Sequence, residues 1–171
     1  MNTKERKSGY SMIELVIYIS IIAVMAVLSV QAMLSTTRVF AEIKSFVNIS
    51  EGGVIAIERI IKEIRFGKSI DYAETILDIN PGRLKLNTTD ENGNAKTMDF
   101  YTANNSVNII DNGVDKGSIT GSSTVLTSLV FRQSTTSKGM LVKIEMTIKD
   151  TRETNPRSAS FYGSAVLRGA Y

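Results

Sequence analysis

Apolar and polar residues alternate along this chain with periods that change at recognisable points. Residues 1–9, MNTKERKSG, are short, polar and basic. YSMIELVIYISIIAVMAVLSVQAML follows, with Glu14 as its only charge, and from Leu15 to Leu34 twenty residues carry none. A helix of twenty residues rises about 30 Å, the thickness of a bilayer's hydrocarbon core. Helical periodicity then continues, with Val39, Ile43, Phe46 and Val47, and after them Val54, Ile57, Ile61 and Ile64, at three- and four-residue steps. Glu58 and Lys62 form an i,i+4 pair on the opposite face, with Arg59 and Glu63 beside them, and Gly67 is a stop signal. The pattern predicts one helix from about Ser11 to Phe66, on the order of 80 Å long. Its stripe from Val54 to Ile64 should face a core. Gly52-Gly53 is its weak point, because a helical Gly costs up to about 1 kcal/mol relative to Ala, and a bend is expected there.

Beyond Gly67 the period falls from 3.6 to 2. Leu84 and Leu86, then Met98 and Phe100, flank the turn Asp90-Glu91-Asn92-Gly93-Asn94. Val107 and Ile109 follow a second turn at Asn104-Asn105, and Leu126, Leu129 and Phe131 precede a Ser/Thr stretch. Val142, Ile144, Met146 and Ile148 alternate with Lys143, Glu145, Thr147 and Lys149, the signature of a half-buried antiparallel strand. Phe161, Ala165 and Leu167 mark a last strand. The predicted fold class is therefore α+β: a long N-terminal helix whose first half spans a membrane and whose second half packs on an antiparallel sheet. The corresponding segments are 1–9, 10–34, 35–66 and the β-rich 67–171.

Composition narrows the chemistry. The chain has no Cys and no His, which excludes disulfides, thiolate zinc sites, a Cys nucleophile and His-based acid–base pairs. No Gly-rich phosphate loop, no G-x-S-x-G elbow and no pair of acids at a defined spacing is present, so no enzyme activity, catalytic residue or cofactor is expected. Of the net charge of +3, two units come from Lys4, Arg6 and Lys7 against Glu5, leaving one for the rest. The body thus makes no electrostatic case for nucleic acid. Asp90, Asn92 and Asn94 have the alternating oxygens of a calcium loop, and Asp111, Gly113 and Asp115 echo them. A calcium loop needs Gly at its sixth place and Glu at its twelfth; here stand Ala95 and Tyr101, then Lys116 and Ser122. Turn chemistry accounts for both segments, and no metal ligand is assigned.

Lys7-Ser8-Gly9-Tyr10-Ser11-Met12-Ile13-Glu14-Leu15, running into an apolar helix, resembles the type IV prepilin signature. That signature is a basic leader ending in Gly, an aromatic residue opening the mature chain and a Glu at its fifth position. The resemblance implies that a membrane-embedded prepilin peptidase cuts between Gly9 and Tyr10 and that the new Tyr10 amine is methylated. It also implies that residues 10–34 are retained as an assembly helix. Tyr10 replaces the usual Phe, Ser11-Met12 the usual Thr-Leu, and Gln31 stands where many pilins carry a helix-kinking Pro. The order of elements, with IERIIKEIR at Ile57–Arg65 and the strands through Phe131 and Ile148, also looks like the minor pilins and the J-type pseudopilin of type II secretion. The partners this implies are the peptidase, other pilin or pseudopilin subunits, an inner-membrane assembly platform and the lipid bilayer.

Glu14 has a physical reading of its own. A carboxylate in hydrocarbon costs several kcal/mol unless it is paired. The Tyr10 amine of a neighbouring subunit, one step along a filament, is the partner the resemblance supplies. Two plainer alternatives compete: a single-pass anchor whose Glu14 snorkels to the interface, and a secretory signal peptide cut after Val30-Gln31-Ala32. The basic flank at residues 1–9 places the N-terminus in the cytoplasm and the rest across the inner membrane.

Overall fold

The computed structural model describes residues 11–90, 92–136, 139–151 and 156–168. Among these residues one helix, α1 (Met12–Phe66), precedes eight strands: β1 (Ser69–Ile70), β2 (Leu84–Thr89), β3 (Ala95–Ala103), β4 (Ser106–Asp111), β5 (Val114–Ser118), β6 (Thr124–Thr136), β7 (Gly139–Asp150) and β8 (Ser158–Val166). The chain forms two compact units, Met1–Ile43 and Lys44–Tyr171. The α+β expectation of a long N-terminal helix and antiparallel β-structure is what the chain adopts.

In the first unit the described residues are helical from Met12 on, and their side chains are bare. Ile13, Val16, Ile22, Met25 and Met33 are all more than half exposed, as are most of the apolar residues between them. This helix is long and apolar enough to cross a membrane, and its most apolar window has none of its residues buried by the chain itself. Its small polar side chains turn inward on the helix. Ser20 Oγ donates to the Val16 carbonyl at 2.8 Å, Ser29 Oγ to Met25 at 2.8 Å and Thr36 Oγ1 to Ala32 at 2.9 Å. Such bonds to the carbonyl four residues back give a hydroxyl a partner where no water is available.

In the second unit the strands form two antiparallel sheets rather than the single sheet expected, one ordered β1-β2-β3-β4-β5 and one β6-β7-β8. Leu84, Leu86, Met98, Phe100, Val107 and Ile109 point from the first sheet into the core, and Leu129, Phe131, Val142, Ile144, Met146 and Ile148 from the second. Most of the twelve alternate with polar neighbours, as a sheet with one covered face requires; Ile110, Val130 and Leu141 are the apolar exceptions. The helical residues of this unit contribute Ile49, Ala56, Ile57, Ile60 and Ile64.

The buried helical face differs from the stripe expected. Ile57 and Ile64 are buried, but Phe46, Val47 and Val54 are exposed, and Ser45, Ile49, Gly52, Gly53, Ala56 and Ile60 take their place. Four of the six are small or polar, so a count of large apolar residues misses them. The helix continues through Gly52-Gly53 without a break. A Cβ on Gly53 would fall 2.3 Å from the Phe161 ring, so this glycine is a seat for an aromatic side chain. Gly67 does end the helix, its N–H donating to the Ile64 carbonyl at 3.1 Å.

Candidate functional site

Gly9 and Tyr10, the expected processing site, lie outside the described residues. Glu14 lies within them, in the first turn of α1. A carboxylate there faces the positive end of the helix dipole and the orphan N–H groups of the first turn. The structure also gives Glu14 a partner that the sequence reading overlooked: the Tyr18 hydroxyl donates to its Oε1 at 3.2 Å. The two residues are four apart and therefore on one face of the helix. A tyrosine inside an apolar run reads first as a packing residue. A Glu followed by a Tyr at i+4 inside an apolar run is the signal that was available.

The geometry has a chemical meaning. Glu14 is the single carboxylate of the apolar helix, and it is held with one oxygen already hydrogen-bonded by its own chain. A lone carboxylate in that setting accepts hydrogen bonds and attracts a cation; it has no His, Lys or second acid on this segment with which to exchange protons.

The second unit carries other clusters of ionisable groups, and each is internally engaged. Arg83 donates through Nε to both oxygens of the buried Asp99, each at 3.1 Å, and through Nη2 to Glu74 at 2.7 Å. Glu74 also accepts from Lys85, a hydrogen bond that holds its carboxyl below the usual range. The bond to Asp99 raises Arg83, and the bond to Glu74 raises Lys85. This ladder of charges pins the segment after β1 against β2 and β3.

At the Asp90 turn, the carboxylate accepts from the Asn94 side chain at 3.0 Å and from the backbone N–H groups of Asn94 and Asn92 at 2.8 and 2.9 Å. Those bonds, the side-chain one first, lower its pKa. Gly93 completes the turn with φ +85°. Asp111 pairs with Lys96 at 3.0 Å, and Asp115 accepts from Tyr101 at 3.1 Å and from the Gly117 N–H at 2.7 Å. The oxygens that suggested calcium spacing are thus turned onto turn and strand donors. Among the described residues no three acidic side chains stand close enough together to hold a metal.

Hollows on this unit are shallow. One, about 310 Å³, runs beside the helix between Asn48, Glu51 and Ile55 and the Ser118–Gly121 segment, with Glu51 the one ionisable group among the described residues that line it. The chain matches no protein-family model, no curated protein and no solved structure.

Proposed function

We propose that this chain is a type IV pilin-like subunit, a minor pilin or pseudopilin, cut after Gly9 and assembled through its N-terminal helix into a pilus or secretion pseudopilus. The observation that carries the reading is the bare apolar helix with one carboxylate in its first turn, uncharged from Leu15 to Leu34. Those side chains need a cover, and a bilayer before assembly and a bundle of like helices after it both provide one. Glu14 then accepts the Tyr10 amine of the next subunit through its second oxygen, an ion pair formed where water is scarce. The chain performs no chemistry itself and binds no cofactor; its leader is the substrate of the prepilin peptidase. Residues 1–9 stay on the cytoplasmic side of the inner membrane, beside the assembly platform, and the β-rich unit lies outside.

The Tyr18–Glu14 hydrogen bond favours a second reading: a membrane-anchored or exported domain that never polymerises, its one carboxylate satisfied within its own helix. Mass spectrometry of the mature N-terminus separates the two. A chain beginning at N-methyl-Tyr10 is the expected result. One that begins at Met33 or keeps Met1 rules the filament reading out.

A further inference from the structure

Sheets expose two edges each, and natural proteins guard them, because a free edge pairs with any extended chain. Three of the four edges here are guarded. β1 is only two residues long. β5 carries Asp115 and Lys116 and pairs with β4 through a register shift at Ile109/Ile110. The outer side of β6 is covered by the 78–82 segment and by Asn105. Asp78 N–H donates to Phe131 O and Gly82 N–H to Leu129 O, both at 2.8 Å; Asn80 Oδ1 accepts from Leu129 N–H at 2.9 Å; Leu126 N–H donates to Asn105 O at 2.7 Å.

The fourth edge, β8, has no such cover among the described residues. It is nine residues long, SASFYGSAV, with no charge, no Pro and an unshifted register against β7. The bonds at the two ends of this ladder fix its parity: Asp150 N–H donates to Arg157 O and Leu167 N–H to Met140 O, each at 3.0 Å. In an antiparallel pair, bonded positions alternate with unbonded ones. Ala159, Phe161, Gly163 and Ala165 therefore face β7, while Ser158, Ser160, Tyr162, Ser164 and Val166 turn their N–H and C=O groups outward.

We infer that the β8 edge is a docking site for an extended segment of another protein, which adds as a fourth strand to the β6-β7-β8 sheet and carries acidic side chains six residues apart. The charge pattern selects the occupant. On the outer face, Lys143 lies across from Ser164 and Lys149 across from Ser158. Neither lysine makes an ion pair among the described residues, whereas Glu145 between them is taken by Arg132 at 3.0 Å. A serine is short, so each lysine reaches over it to the next strand. Between the two lysines stands Tyr162, 74% exposed, beside a hollow of about 310 Å³ lined by Lys143, Glu145, Gly163 and Ser164. An added strand thus meets a cation, a tyrosine and a second cation. Backbone bonds supply affinity in such pairing, and side chains at alternate positions supply selectivity. The inference concerns the Lys44–Tyr171 unit and does not depend on the filament reading.

The test uses the full chain in detergent micelles and a labelled synthetic peptide, Asp-Thr-Val-Thr-Thr-Thr-Asp, with a control in which both Asp are Lys. The Asp peptide should bind at least tenfold more tightly than the control, and hydrogen exchange should slow at Ser158, Ser160, Tyr162 and Ser164. Ser160→Pro, which removes one outward N–H and no ladder bond, should weaken binding at least tenfold. Lys143→Glu with Lys149→Glu should reverse the preference between the peptides, and that pair decides the matter if the proline variant misfolds. Equal binding of both peptides, protection elsewhere in the chain, or protection of β8 by self-association without peptide each overturns the proposal.

Discussion

Phe161 of β8 lies so close over Gly53 of α1 that a methyl group added at Gly53 would sit 2.3 Å from two of its ring carbons and 2.7 Å from a third. The contact is made with the body of the ring, so the whole ring must leave its seat if a side chain is introduced. Gly53→Ala should therefore lower stability by about 1–3 kcal/mol despite the better helix propensity of Ala. Gly52 is the internal control. A Cβ there meets the Gly121 N–H nitrogen at 3.5 Å, ordinary contact, and Gly52→Ala should raise stability by up to about 1 kcal/mol. Urea denaturation followed by tyrosine fluorescence measures both, and the opposite signs are the diagnostic outcome.

Thr102 on β3 buries a hydroxyl that no group among the described residues engages. Removing an unsatisfied polar atom while keeping the branched shape recovers its desolvation cost. Thr102→Val should stabilise the unit by about 1 kcal/mol in the same urea titration.

Stability should be flat through neutral pH, since the chain lacks His and Cys. Glu74, held low chiefly by the Lys85 hydrogen bond, and Asp90, held low chiefly by Asn94, have folded pKa values below their unfolded ones. Their contribution is complete above the unfolded value and is lost as pH falls below about 4. Lys85 is raised by the same bond to Glu74, and Tyr101 is raised by burial and then by its bond to Asp115. Their contributions are lost as pH climbs past about 10. Urea midpoints from pH 3 to 11 should trace a plateau with two falling edges. Glu74→Gln should make the acid edge shallower.

At Glu14 the filament reading expects a separation of effects. Glu14→Ala should leave processing after Gly9 intact and reduce incorporation into filaments at least tenfold, measured by quantitative blotting of sheared filaments. Tyr18→Phe removes the intrahelical hydrogen bond but keeps the ring, and should leave incorporation within about twofold of wild type. Normal assembly of Glu14→Ala would sink the ion-pair role.

Much of this architecture was legible because burial and period coincide. Leu84 and Leu86, Met98 and Phe100, and the run from Val142 to Ile148 announced β2, β3 and β7 through alternation alone. β5 was silent: its one large apolar residue, Val114, is exposed, so its pairing with β4 leaves no hydrophobic signature. The helix misled for the opposite reason. Ser45, Gly52, Gly53 and Ala56 face the sheets because close approach needs small side chains, while Phe46, Val47 and Val54 carry the apolar signal and stay exposed. At the candidate site, Glu14 stood out as a charge in an apolar run. Its bond to Tyr18 did not, because a tyrosine in such a run reads first as a packing residue.

The hydroxyls of Ser20, Ser29 and Thr36 are tied to carbonyls of their own helix, four residues back. These polar groups therefore travel with their acceptors. Moving the segment from one apolar surrounding to another breaks none of these bonds and leaves no hydroxyl waiting for a new mate. In the filament reading the helix is then a smooth rod around these groups, able to turn or slide against its neighbours until Glu14 finds the amine that fixes it in place.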